Sequence, residues 1–203
     1  MQEFVHTRPM KLYHGSPNLF AEFRLDAAGG GTGIKYGFGV YLTESERTAV
    51  HYSQPRHADL MPDHYLYTVE IPDLTVDNHL VSARPVPDTI VRRVAERLGR
   101  EVPSDVRARG KDFRKWIGRT LLGTKTNGMN EERAAAALLE SVGVHYNVWP
   151  TAQTKPDGDK NVAVFDPARV RILGVERIEI ENRRGKWVLV GREEVGHELL
   201  QRR

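Results

Sequence analysis

The chain has 203 residues, a formal net charge of +3 and no cysteine. That length builds one sizeable core, with or without an added subdomain, but not two independent domains. The missing thiols exclude a disulfide framework, a cysteine nucleophile and any thiolate metal site. No apolar run reaches the roughly 20 residues that cross a bilayer, and the start MQEFVHTRPM lacks the apolar stretch of a secretory signal. We therefore expect a soluble protein without a leader.

In chain order, the first signal is the apolar run Met10–Tyr13, which ends in His14-Gly15 before a Ser-Pro-Asn turn. Turn chemistry alone explains Gly, Ser, Pro and Asn there. The same residues also suit a rim, because a glycine admits a ligand or another backbone and an imidazole can donate or accept a hydrogen bond. A polar stretch built around GGGTG follows, then the strand-like GFGVYLT of Gly37–Thr43. A short helix is expected from Ser45, its N-cap, to Gln54, with Ala49 and Tyr52 on one side and Pro55 beyond its end. His64–Asp73 alternates as a half-buried strand, with Tyr65, Tyr67, Val69 and Ile71 on one face.

Composition changes after Asp77. One amphipathic helix, carrying Ile90, Val91, Val94 and Leu98, stops at Gly99. A second, from Lys111, has Phe113, Trp116, Ile117, Leu121 and Leu122 as its apolar stripe, and a third is capped by Asn130 with Glu131 and Glu132 in its first turn. Arg84–Lys125 holds twelve Lys/Arg against five Asp/Glu. This is either a solvated helical face or a surface for phosphate-rich partners. Strand character returns in NVAVFDP, RVRILGVERIEIE and KWVLVG, the last two paired as a hairpin across Arg183-Arg184-Gly185. The order β, helical, β predicts an α+β fold in a single domain over residues 1–203, with a basic helical insert at about 84–126 and a C-terminal hairpin extension at about 174–203.

Other chemistries lack their context. The Gly-rich segment neither follows a long strand nor opens a helix, which rejects a dinucleotide fingerprint. His51, His57, His64 and His79 are too scattered for a metal, and Ser16 has no nucleophile elbow around it.

Three segments read together, LYHGS at Leu12–Ser16, GFGVYLTESERTAVHYS at Gly37–Ser53 and KNVAVFDPARVRI at Lys160–Ile172, resemble the signature strands of the ADP-ribosyltransferase superfamily. The likeness is to its His-Tyr-Glu branch, shared by poly(ADP-ribose) polymerases, diphtheria-like toxins and the ADP-ribosyltransferase domains of phage polyvalent proteins. It implies a split antiparallel β-sandwich that uses NAD as co-substrate without a metal. It also implies that His14 bonds the NAD ribose, that the Gly15 backbone, with Ser16 beside it, holds the nicotinamide carboxamide, and that Tyr41 and Tyr52 stack on the two faces of the ring. An aromatic slot of this kind adds a cation–π contribution of order 1 kcal/mol.

Two positions depart from the family pattern. Asn161 stands where the family has its glutamate, so the amide can bond the ribose but cannot supply negative charge or take a proton. Ala49 stands where a serine often meets the carboxamide, leaving Thr48 to compensate; Asp157 and Asp159 are nearby acids. The resemblance thus implies mono-ADP-ribosylation of a macromolecule, nucleic acid or acidic protein, by a toxin or phage effector acting in a bacterial or host cytoplasm, with the GGGTG loop covering the site. The rivals are NAD glycohydrolysis and a degenerate module that binds ADP-ribose or nucleic acid.

Overall fold

A computed structural model describes residues 9–25, 34–54, 63–123, 128–150 and 158–196. The GGGTG loop, Pro55, Lys125, Asp157 and the final GHELLQRR beyond Gly196 lie outside those residues. Among the described residues the chain forms eight strands and four α-helices, an α+β arrangement with antiparallel and parallel pairings. The chain divides into two compact units. One draws on Met1–Phe23, Leu42–Asp73 and Ala168–Arg203, the other on Arg24–Tyr41 and Leu74–Pro167.

In the first unit, β1 (Met10–Ser16) lies between β2 (Val40–Thr43), whose first half belongs to the second unit, and β3 (His64–Ile71). All these pairings are antiparallel, with Tyr13 opposite Thr43 and His14 opposite Tyr67. The alternation in β3 is as expected: Tyr65, Tyr67, Val69 and Ile71 are buried together. Leu66 is buried on the other face, in a cluster with Ala49, Val50 and Ile178 that seats helix α1 (Glu46–Tyr52). β7 (Arg171–Arg183) pairs antiparallel with β3 and then with β8 (Lys186–Glu194). The β7–β8 turn has positive φ at both Arg184 and Gly185, a tight two-residue loop whose twist matches the flanking strands. The C-terminal hairpin therefore contributes its first strand to the sheet of this unit.

The second unit packs helices α2 (Asp88–Leu98), α3 (Gly110–Leu122) and α4 (Gly128–Ser141) with β4 (His79–Val81), β5 (Tyr146–Pro150) and β6 (Lys160–Val164). β4 and β5 run parallel; β5 and β6 run antiparallel, with Asn161 opposite Trp149. The core joins Leu80, Ile90, Val94, Phe113, Ile117, Ala135, Leu139 and Phe165. α2 ends at Gly99 as expected, with that glycine in the left-handed region (φ 63°).

Three details of the helices differ from expectation. Leu121 and Leu122 are exposed at the end of α3, while Arg114, read as part of a charged face, is fully buried. α4 begins at Gly128, so Asn130 lies inside its first turn and does not cap it. The helices α3 and α4 approach closely at Gly118, where a Cβ would stand 2.4 Å from the Glu131 carbonyl oxygen.

Candidate functional site

The end of β1 is built from aromatic rings and a tight turn. His14 meets Phe23, Phe20 and Tyr67 edge-on at centroid distances of 5.1, 6.0 and 6.0 Å, and Phe20 stacks on Tyr67 at 4.3 Å. The Tyr67 hydroxyl accepts from Phe20 N (2.7 Å) and lies 3.1 Å from the Asn18 carbonyl to which it donates. Burial holds the Tyr67 phenol well above its usual pKa, so it serves as a neutral hydrogen-bonding post. Ser16 is buried and its Oγ accepts from Asn18 N at 3.0 Å, which shapes the turn after the strand. His14 is half-buried, its imidazole oriented by three rings.

Gly15 has a structural reason of its own. A Cβ there would lie 1.8 Å from the Ala49 carbonyl oxygen and 2.8 Å from Ser53 N, so α1 rests directly on the β1 backbone. Of the two approaches open to a glycine in the sequence, the structure contains that of another backbone. α1 starts as expected, with Ser45 Oγ accepting from Thr48 N at 3.3 Å. Ala49 and Val50 are its buried residues; Tyr52, expected on the same side as Ala49, is 60% exposed and touches His51 edge-on. Thr48 is half-buried. His14, Gly15, Ser16, Thr48 and Tyr52 all belong to the first unit, where the packing of α1 on β1 brings Gly15 under Ala49.

Tyr41 and Asn161 belong to the second unit. Tyr41 is anchored through its hydroxyl, which donates to Gly37 O (2.8 Å) and accepts from Tyr36 N (3.1 Å). Burial pushes the Tyr41 phenol up to about 12, against the opposing effects of the Tyr36 backbone bond and of Arg114. It is neutral at physiological pH. Its ring meets Trp149 edge-on at 5.3 Å, and Trp149 stacks flat on Tyr36 at 4.2 Å with the planes 2° apart. The Lys35 ammonium lies over the Tyr36 ring at 5.3 Å. Asn161, half-buried near the start of β6, is held opposite Trp149 by the β5–β6 register. Asp159, two residues earlier, is exposed.

Sequence reasoning missed the side chains that support Tyr41. Asn147 donates to Tyr36 O at 2.7 Å and to Ser82 Oγ at 2.9 Å. Arg114 reaches Lys35 O at 3.4 Å while forming a buried, two-point ion pair with Glu132. An Arg and a Glu in separate amphipathic helices read as solvated charges, and no spacing rule pairs residues 18 positions apart. Among the described residues there is no group of three or more His, Asp or Glu able to hold a metal ion, and no helix long and apolar enough to cross a membrane.

No curated protein and no solved structure matches the chain. A family model described as ADP-ribosyltransferase in polyvalent proteins matches residues 6–173, a span that contains His14, Tyr41, Tyr52 and Asn161 and also the helical middle. Family members of this kind use NAD as the source of ADP-ribose. With more than half of its length inside that match, the chain belongs to the ADP-ribosyltransferase family of polyvalent proteins.

Proposed function

We propose that the protein is a mono-ADP-ribosyltransferase that moves ADP-ribose from NAD to a macromolecular acceptor. The observation that carries this reading is the family match spanning β1, β2 and β6, with His14-Gly15 near the end of β1 and Tyr41 in β2. In the reaction the bond between the nicotinamide nitrogen and the ribose C1″ breaks, and its electron pair leaves with nicotinamide. The acceptor's lone pair then forms the new bond at C1″ and its proton passes to water or a base. The leaving ring is cationic before departure and neutral after, so no general acid is required, and orientation with fixed dipoles supplies the catalysis.

In this reading His14 bonds the ribose, its ring aimed by Phe20, Phe23 and Tyr67. The Gly15 backbone and Ser16 hold the carboxamide, with Thr48 in support. Tyr41 and Tyr52 take the faces of the nicotinamide; the exposure of Tyr52 leaves its ring available to a flat ligand. Asn161 bonds the neighbouring ribose as a neutral amide. Without a carboxylate there, chain elongation is disfavoured and single transfer preferred. The acceptor is a nucleic acid or an acidic protein, and the biological setting a toxin or phage effector inside a bacterial or host cytoplasm.

Asn161 also favours a second reading, a module that binds ADP-ribose without turnover. Incubation with NAD labelled on its adenylate half, in lysate with and without ribonuclease, separates the readings. Label fixed to a macromolecule is the expected result. Free labelled ADP-ribose would identify a glycohydrolase, and intact NAD would sink the transfer reading in favour of the binding module.

A further inference from the structure

The turn at residues 34–37, just before β2, is held through six of its backbone polar groups. Gly37 N donates to Ile34 O (3.2 Å), Tyr36 N to the Tyr41 hydroxyl (3.1 Å), and that hydroxyl to Gly37 O (2.8 Å). Asn147 from β5 donates to Tyr36 O (2.7 Å), and Arg114 from α3 to Lys35 O (3.4 Å). Arg114 and Glu132 are 0% and 7% exposed at their side chains. Such a pair is an expensive way to hold two helices together, because replacing it with packed apolar side chains is commonly neutral or stabilising. Nor does the pair satisfy the whole guanidinium, since the buried Arg114 Nη1 has no hydrogen-bond partner among the described residues. What Arg114 adds beyond packing is a donor to Lys35 O and a guanidinium against Gly37, where a Cβ would lie 3.3 Å from Nε.

We infer that Arg114, oriented by Glu132, is a positioning residue for Tyr41. It fixes the Lys35–Gly37 backbone, which in turn provides two hydrogen bonds to the Tyr41 hydroxyl. Gly118 makes the arrangement possible: it lets the first turn of α4 press against α3 one helical turn beyond Arg114, which brings Glu132 to the guanidinium. The helical middle of the chain would thus set the geometry of a residue in β2. The catalytic consequence rests on the proposed transfer reading; the geometric one does not.

The test is the double variant Arg114→Met/Glu132→Leu of the full chain. It should melt no lower than the wild type, while amide exchange at Tyr36 and Gly37 accelerates about tenfold, the equivalent of one net hydrogen bond. The Tyr36 amide is the one bonded to Tyr41, so its exchange reports on that contact directly. KM for NAD should rise about tenfold with kcat changed less, the signature of lost ground-state positioning. Arg114→Lys is the second variant: it keeps a charge opposite Glu132 but cannot serve both the carboxylate and Lys35 O, and it should loosen the same two amides. If either variant folds with unchanged exchange and unchanged KM, the inference is overturned. If the wild type releases no nicotinamide at all, the transfer reading fails, and amide exchange alone decides whether Arg114 positions Tyr41.

Discussion

Replacing Gly15 with alanine distinguishes a glycine kept for a helix from one kept for a ligand. The new Cβ would stand 1.8 Å from the Ala49 carbonyl oxygen, against the 3.0 Å below which such contacts essentially never fall. The obstacle is backbone, flanked by Ser53 N at 2.8 Å, so no side-chain rotation relieves it. Helix α1 must retreat from β1, and Ala49 and Val50 lose their contact with Leu66 and Ile178. Overpacking of this kind costs about 3 kcal/mol, the upper part of its usual range because a whole helix moves. For a chain of this length that lowers Tm by about 6 to 12 °C. Thermal unfolding followed by circular dichroism measures the loss, and nicotinamide release is recorded well below the new Tm. A variant with wild-type Tm but no nicotinamide release would refute the packing argument and return Gly15 to the ligand.

Gly37→Ala should cost about 1 to 2 kcal/mol, because φ there is 114° and the added methyl presses on Arg114; urea denaturation reads it directly. Arg184→Asn should stabilise by about 0.5 kcal/mol, since φ is 55° at that hairpin position and asparagine accepts this conformation more readily than arginine; a lower urea midpoint would contradict it. Burial lowers the His79 pKa below its ordinary 6.5 while the Nδ1 hydrogen bond to Thr75 O opposes the shift. The unfolded chain therefore takes up a proton first, stability falls as pH drops through the window just below 6.5, and His79→Gln should flatten that part of the Tm–pH profile. On the proposed reading of the site, Asn161→Glu would place a negative charge near the developing ribose cation. At about 4 Å and an effective dielectric near 20 that is worth about 4 kcal/mol, an upper bound of about a thousandfold in nicotinamide release. No gain in a folded variant would show that Asn161 does not occupy the carboxylate position.

Segments whose local chemistry and tertiary role agree were legible. Alternation in β3, the Gly99 stop of α2, the Ser45 cap of α1 and the tight β7–β8 turn all follow from period or from a single special residue. β4 and β5 were not read from the sequence. They form a parallel pair, and four of the five β5 residues are buried, so no polar alternation marks that strand. Asn130 misled because a capping residue also tolerates the first turn of a helix, and α4 starts two positions earlier. Tyr52 shows the limit of spacing on a helix of seven residues: Ala49 and Val50 face the core, and Tyr52 at its last position turns outward. The residues of the proposed site were visible only as matches to a family pattern; their support, Trp149, Asn147 and the Arg114–Glu132 pair, is assembled by tertiary contacts between segments up to 111 residues apart.

The same contacts change what the basic middle of the chain can be asked to do. Arg114 is buried and neutralised by Glu132. Arg109 and Arg119 face Asp112 and Glu131. Arg93 commits its fork to the backbone carbonyls of Asp77 and Val142, and Arg107 bonds the Val102 carbonyl while lying 3.9 Å from the Glu101 carboxylate. Of the twelve Lys/Arg only nine are arginines, and fewer of those remain to grip phosphate bidentately, while the cations bonded to carbonyls still contribute to the field around the molecule. A field with few preformed forks speeds encounter with a polyanion and is screened by salt, but it does little to choose which polyanion is bound. On the proposed transfer reading, selection of the acceptor then comes from the groups around the reacting ribose, so salt should alter the rate of transfer far more than its target.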